Sequence, residues 1–188
     1  MLTATFVTTE EELDQIARLS AANLAANMTS EEKLKEGFVT WPYTPDVLRT
    51  LHSITPSIIV KDGDLVAGYA IVLTRECVTV YPPMEDAIRH FAGIRYKGKS
   101  LMDHRIYLMG QICVHPEYRG KGVFGLLYGF HRSQLSKQYE MVVTEISTSN
   151  LRSMRAHQRT GFIIVDTHRD ETDLWNVVVW DWTHGRLH

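Results

Sequence analysis

The stretch that decides the fold is QICVHPEYRGKGVFGLL, residues 111–127. An apolar run that ends at Val114 predicts a strand, and the apolar residues after Gly122 predict a helix. A helix begins with several backbone N–H groups that have no partner inside the helix and carry a partial positive charge. The two glycines of the turn let an anion approach that backbone closely. The turn is therefore predicted to bind an anion, with positive charge added by Arg119 and Lys121.

Other interpretations of this turn stay open at this point. The P-loop pattern Gly-x-x-x-x-Gly-Lys-Ser/Thr is absent, and the Gly-x-Gly-x-x-Gly dinucleotide pattern is only half met. A nucleotide-binding protein could still use the same turn. The segment could also be a tight turn that needs glycine only to start a helix.

A second motif follows about 30 residues later, EISTSNLRSMRAHQRTGF at residues 145–162. Together the two motifs resemble those of the GNAT superfamily of acyl-CoA N-acyltransferases. The residues that carry the resemblance are Val114, Pro116, Arg119 and Gly122 in the first motif and Asn150, Ser153, Gly161 and Phe162 in the second. It is sharp over about residues 105–165 and looser elsewhere.

The resemblance implies a mixed α/β (α+β) fold. It predicts one central, twisted, mostly antiparallel mixed sheet of about seven strands, flanked by four or five helices, with one splayed strand pair. The apolar patterns along the chain give a compatible order of strands and helices, with helix starts expected at Thr9 and at Thr44, the latter as an N-cap. We find no repeat and no linker, so residues 1–188 are expected to form a single acyl-CoA N-acyltransferase domain.

The resemblance also implies acetyl-CoA as the cofactor and direct attack of an amine on the thioester in a ternary complex. It assigns coenzyme A binding to a set of residues on the strand, the turn and the second motif: Ile112, Cys113, Val114, Arg119, Gly120, Lys121, Gly122, Val123, Phe124, Asn150 and Ser153. Phe124 stands where the family has glycine or alanine, so its ring must point away from the phosphates. Asn150 is expected either to contact the pantetheine arm or to order the end of the strand.

The catalytic residues are less well defined by the resemblance. His157 replaces the tyrosine that protonates the departing thiolate in many members, and a histidine pKa of about 6.5 suits proton transfer near neutral pH. It could instead be a hydrogen-bonded, space-filling residue. The usual glutamate of the family is replaced by Leu108. Glu145 is the candidate base if its face of the strand lines the cleft; otherwise it is an exposed carboxylate, and base catalysis through water, or positioning alone, remains possible.

The acceptor is expected to be an amine on a small molecule or a peptide. In this family the N-terminal helices and their connecting loop usually contact the acceptor, which points to Phe38, Trp41 and Tyr43. The chain is therefore predicted to be an N-acetyltransferase (a transferase of the acyltransferase class). The alternative is a non-catalytic acyl-CoA-binding sensor or regulatory module.

Composition limits the remaining classes. The 188 residues include 20 basic and 22 acidic side chains, a formal net charge of −2. This balance argues against general binding to nucleic acid or to anionic membranes. Two cysteines cannot build a disulfide framework, and no signal peptide or membrane span is evident, so a cytoplasmic location is expected. The pair His184 and His188 lies at the chain end and is not read as a metal site. A final strand that is apolar on both faces raises the possibility of a homodimer.

Overall fold

A computed structural model describes residues 1–183 of the chain. Its elements, in chain order, are β1 Leu2–Phe6, α1 Glu10–Ala22, α2 Ser30–Glu36, α3 Pro45–His52, β2 Ile58–Asp62, β3 Leu65–Leu73, α4 Pro83–Gly93, β4 Arg95–Tyr96, β5 Lys99–Ser100, β6 Ile106–Val114, α5 Val123–Leu135, β7 Met141–Ser147, α6 Leu151–Thr160, β8 Ile163–Arg169 and β9 Leu174–Asp181. The described residues thus form six α-helices, where the sequence predicts four or five. None of these helices has the length and apolar character needed to cross a bilayer.

Seven strands form one sheet in the order β1-β2-β3-β6-β7-β9-β8. Every neighbouring pair is antiparallel except β6 and β7, which run parallel. The short strands β4 and β5 pair only with each other. The predicted class, a mixed and mostly antiparallel sheet of about seven strands with flanking helices, is confirmed. Val177 and Val179 of β9 join one core and Val178 joins the core on the opposite face, so packing within one chain accounts for its two apolar faces without a second subunit.

Helices cover both faces of the sheet. Buried residues of α1, α3 and α4 pack on one face, and those of α5 and α6 pack on the other. Successive strand residues point to opposite faces. On β7, Met141 and Val143 therefore join the first core, whereas Val142 and Ile146 join the second. The same alternation directs Glu145 to the face covered by α1, α3 and α4.

Threonine side chains define the starts of the first three helices. Thr9 and Thr29 form capping boxes with Glu12 and Glu32, and Thr44 accepts a hydrogen bond from the amide of Val47. A cap of this kind stabilises a helix by about 1 kcal/mol, because it pairs an amide that the helix leaves free. The starts predicted at Thr9 and Thr44 are confirmed. These helices hold the loop of residues 37–43 over one end of the sheet.

β6 and β7 separate along their length. They pair only where residues 106–108 of β6 meet residues 141–143 of β7. One further contact joins them, from Thr144 Oγ1 to the carbonyl oxygen of Met109 at 2.8 Å. A bulge at Gly110 then shifts the register of β6 against β3. The predicted splayed pair is confirmed, and the gap beyond Leu108 and Val143 is called the cleft below.

Candidate active site

The turn between β6 and α5 has the backbone geometry of an anion site. Gly120 and Gly122 have φ angles of +77° and +84°, and a Cβ built on either would meet nothing within 4 Å. The helix begins at Val123, and the amides of Val123, Phe124 and Gly125 make no hydrogen bond to any residue in the described range 1–183. The glycines are needed for the left-handed conformation, and the space in front of the amides is open.

Two side chains of the turn avoid that open space. The Phe124 ring packs edge-on against the rings of Tyr128 and His157, with centroid distances of 5.0 and 5.2 Å. It therefore points toward the core, as the anion site requires. The ammonium of Lys121 lies 5.1 Å from the centre of the Tyr118 ring.

Arg119 differs from the expectation that its side chain adds charge in front of the turn. Its guanidinium donates to Glu36 Oε2 and to Asn23 Oδ1, both at 2.6 Å. Only 17% of the side chain is exposed, so the guanidinium needs such partners. Because Glu36 ends α2 and Asn23 follows α1, Arg119 ties the N-terminal helices to the turn. Sequence spacing cannot reveal this contact, since Glu36 lies 83 residues away.

A cavity of about 530 Å³, called the basic cavity, opens in front of the turn. It is lined by the turn, by the end of β6 and by the first turns of α6. Among the described residues, its basic side chains outnumber the acidic ones, with Lys35, Arg119, Arg152, Arg155 and Arg159 against Glu36. The three arginines of α6 recur at spacings of three and four residues, so they share one helical face, and that face borders the cavity. The cavity therefore suits a polyanionic ligand.

The edge of β6 that faces the cleft offers free backbone groups. The amide of His115 donates to the Ala67 carbonyl on β3, at 2.9 Å. Because peptide groups alternate along a strand, the amides of Ile112 and Val114 point into the cleft. An extended ligand could pair with them as another strand would. Burial raises the pKa of the Cys113 thiol to about 12, so this residue is protonated at neutral pH and is a poor nucleophile.

The Asn150 side chain makes two hydrogen bonds to the backbone. Its Oδ1 accepts from the Ser153 amide at 3.2 Å, which caps α6, and its Nδ2 donates to the Phe38 carbonyl at 2.8 Å. Gly37 makes this approach possible, because a Cβ there would lie 3.0 Å from Asn150 Oδ1. Of the two expected roles, the contacts favour ordering the chain over touching a ligand. Ser153 is half-buried beside the cavity.

Both ring nitrogens of His157 are occupied. Nδ1 lies 2.8 Å from the Ser153 carbonyl oxygen, and Nε2 lies 2.8 Å from the Tyr128 hydroxyl. A carbonyl can only accept, so the proton is on Nδ1 and Nε2 accepts from Tyr128. Burial lowers the pKa of His157 to about 4, although the Ser153 carbonyl opposes this shift. A neutral ring with no free N–H favours the hydrogen-bonded, space-filling role over the general acid.

A second cavity of about 570 Å³, called the acidic cavity, lies on the other side of the cleft. Phe38, Ile112 and Ser153 line both cavities, so the two adjoin. The predicted acceptor residues Phe38, Trp41 and Tyr43 all border the acidic cavity. Trp41 is 51% exposed at its rim, whereas Tyr43 is 4% exposed. The three predicted aromatics are thus brought together at one site.

Gln111 holds the aromatic loop over the acidic cavity. Its Nε2 donates to the Trp41 carbonyl at 2.7 Å, and its Oε1 accepts from the Ser20 hydroxyl at 2.9 Å and from the Tyr69 hydroxyl. The sequence does not predict this role of Gln111, because its partners are 42 to 91 residues away along the chain.

The acidic cavity has a charge opposite to that of its neighbour. Four carboxylates line it, from Asp86, Glu145, Asp170 and Glu171, and no described lysine or arginine does. Glu145 is 27% exposed, and its Oε1 lies 2.7 Å from Nε2 of His168. The face of β7 that carries Glu145 therefore lines the cleft. This is the condition under which the sequence predicts Glu145 as a candidate base.

His168 belongs to a cluster that sequence reasoning missed. Its ring stacks on that of His90, with centroids 3.8 Å apart, and His90 Nε2 lies 2.8 Å from Asp166 Oδ2. The available signal was the pattern Asp166-x-His168 on one face of a strand. His90 comes from α4 and could be placed only by the fold.

Solved structures with this arrangement identify the fold. The yncA structure from Salmonella typhimurium with its cofactor acetyl-CoA is 14% identical over 96% of this chain and 94% of its own, with a TM-score of 0.61. Arabidopsis thaliana Naa50 in complex with the bisubstrate analogue CoA-Ac-MVNAL is 14% identical, with coverages of 96% and 98% and a TM-score of 0.60. A GNAT-family protein from Desulfovibrio desulfuricans is 14% identical, with coverages of 97% and 99% and a TM-score of 0.61.

The chain has the GNAT fold. No protein-family model matches the sequence, and no curated protein is significantly similar to it. Leu108, which the resemblance predicts to replace the usual glutamate, is 7% exposed and pairs with Val143. Glu145 lies on β7 two residues beyond Val143.

Proposed function

We propose that this protein is an N-acetyltransferase that transfers an acetyl group from acetyl-CoA to a primary amine. The observation that carries the proposal is the pair of adjoining cavities of opposite charge at one cleft. A polyanionic donor suits the basic cavity, and a protonated amine suits the acidic one. The acceptor is a small molecule or a peptide. A peptide acceptor is supported by the Naa50 structure of similar fold, which holds the bisubstrate analogue CoA-Ac-MVNAL.

Coenzyme A fits the residues of the basic cavity. The diphosphate would accept from the free amides of the turn at Val123 and Phe124. Arg155 and Arg159 would contribute positive charge beside it. The pantetheine arm would pair with the amides of Ile112 and Val114, as the additional strand that the cleft lacks. The yncA structure supports this donor, since it holds acetyl-CoA in a similar fold.

Acetyl-CoA supplies an activated acetyl thioester, so the chain needs mainly to position the reactants. A cleft-facing amide of β6, from Ile112 or Val114, would donate to the thioester carbonyl as charge develops on its oxygen. The protonated thiol of Cys113 supports direct attack by the amine rather than an acyl-cysteine. The acidic cavity would concentrate amines at the cleft.

The alternative, a non-catalytic acyl-CoA sensor, shares the donor site but not the chemistry. Calorimetry with acetyl-CoA tests the shared prediction of binding. Release of free thiol in the presence of polyamines, amino acids, aminoglycosides and peptides separates the two functions. Binding without release from any amine would favour the sensor, and absence of binding would reject both. A homodimer remains a prediction; light scattering that gives 21.5 kDa at high concentration would exclude it.

A further inference from the structure

Two histidine–carboxylate pairs stack against each other beside the acidic cavity. His168 on β8 pairs with Glu145 on β7, and His90 on α4 pairs with Asp166 on β8. The two rings lie 3.8 Å apart at an angle of 30°. His90, His168 and Glu145 all line the cavity. Each imidazole is thus reachable by a ligand and fixed by a carboxylate.

The pairs determine which nitrogen of each ring carries the proton. An ionised carboxylate can only accept, so Nε2 of each neutral ring donates its hydrogen to Glu145 or to Asp166. This leaves Nδ1 of each ring with a free lone pair. A carboxylate that holds an imidazole in one tautomer also stabilises the imidazolium that forms when the ring takes a proton.

We propose that His168 Nδ1 is the general base that deprotonates the acceptor amine, with Glu145 as the residue that orients it. The inference rests on the proposed acetyltransferase function. His168 is favoured over His90 because its partner, Glu145, lies on β7 only two residues beyond the last residue paired with β6. The His168–Glu145 pair therefore lies beside the acidic cavity at the end where β6 and β7 separate.

The charges around His168 suit this task. His168 contacts Glu145 and His90, which pairs with Asp166, and the carboxylates of Asp86, Asp170 and Glu171 line the same cavity. The carboxylates give the cavity a negative charge, which attracts the ammonium form of an acceptor amine.

The proton and electron balance is complete with one base. The ammonium gives one proton to His168 Nδ1, and the freed nitrogen lone pair forms a bond to the thioester carbonyl carbon. The C–S bond breaks with its electrons on sulfur. The second proton leaves nitrogen and goes to that sulfur, so the products are the amide and the thiol. His168, 22% exposed, returns the first proton to solvent.

The first experiment needs no substrate. Nitrogen-15 NMR of the intact protein near pH 8 reports the tautomer of each histidine, and His168→Asn assigns its signal. We expect protonated Nε2 and unprotonated Nδ1 at His168. In Glu145→Gln, whose amide can also donate to the ring, we expect that tautomer preference to weaken. A proton on Nδ1 of His168 would overturn the proposal.

The second experiment uses an amine that gives turnover in the thiol-release panel. His168→Asn should lower kcat/KM by about 10²–10⁴-fold, the usual contribution of a general base, and should remove the rise of the rate with pH. His90→Asn is the matched control and should keep that rise. Acetyl-CoA affinity by calorimetry should be unchanged in both variants.

The outcomes separate the two proposals. An unaltered rate and pH profile in a folded His168→Asn protein would refute the base while the acetyltransferase stands. If no amine releases thiol, the acetyltransferase fails, and the inference that rests on it fails too, whatever tautomer NMR finds at His168. Equal losses in His90→Asn and His168→Asn, each with an unchanged pH profile, would assign the cluster a structural role and also refute the base.

Discussion

Replacement of Gly122 by aspartate tests the anion site at its centre. Gly122 is the last residue before α5, is exposed, and has a φ of +84° with open space where a Cβ would stand. Aspartate would therefore not clash with the protein. It would place a negative charge beside the free amides of the turn, in the space proposed for the diphosphate.

The substitution has two effects, one on folding stability and one on the affinity for coenzyme A. A left-handed φ costs a residue with a side chain roughly 1–2 kcal/mol of folding stability, whatever its charge. Two unit charges 4 Å apart repel by about 1 kcal/mol in water and by about 4 kcal/mol at an effective dielectric constant near 20. Because Gly122 is exposed, we expect about 1–2 kcal/mol, which is a rise of about 5- to 30-fold in the Kd for coenzyme A.

Gly122→Asn is the matched control, because asparagine has the same shape and a similar tolerance of positive φ but no charge. Calorimetry of both variants gives the ratio of their Kd values, and this ratio isolates the charge. We expect the ratio to shrink in 1 M salt, where the Debye length falls to about 3 Å. Equal Kd values for two folded variants at low salt would refute the placement of the diphosphate at this turn.

Three further predictions concern stability. Gly110→Ala should destabilise the fold by about 1–3 kcal/mol, because its Cβ would lie 2.7 Å from each of two neighbouring side chains. The helical control Gly129→Ala, with nothing within 4 Å, should stabilise it by about 0.5–1 kcal/mol. Gln111→Leu should cost about 1–3 kcal/mol, since buried hydroxyls lose their acceptor. Burial lowers the pKa of His131 to about 3 and that of His157 to about 4. Below pH 6.5 the unfolded chain therefore binds protons that the folded chain does not. The thermal midpoint should fall as the pH drops from about 6.5 to 4.

Denaturant titration measures the free energies of the substituted proteins, and differential scanning fluorimetry measures the pH dependence. Similar free energies for the alanine variants at 110 and 129 would contradict the close packing of the bulge. An unchanged free energy of unfolding in Gln111→Leu would show that the buried hydroxyls find other partners. A midpoint that is constant between pH 6.5 and 4 would mean that the two buried histidines do not resist protonation.

Local chemistry explains why much of the fold is readable from the sequence. Thr9 and Thr44 indicate helix starts because a cap forms within four residues. The glycine turn is recognisable because its positive φ angles are rarely adopted by other residues. Alternation along β7 predicts that Glu145 points either to the face that lines the cleft or to the opposite face. The sequence cannot decide between the two faces, because the choice depends on which helices cover which face of the sheet.

The site divides in the same way. By itself the sequence determines the glycine turn and the order of the two motifs, since each of these is built by neighbouring residues. Tertiary structure alone decides that Arg119 turns to Glu36, that His157 is sealed by Tyr128, and that distant carboxylates gather in one cavity. The physical reason is that burial and the pairing of charges depend on contacts between residues that are distant along the chain, 29 residues for Tyr128 and His157 and 83 for Arg119 and Glu36.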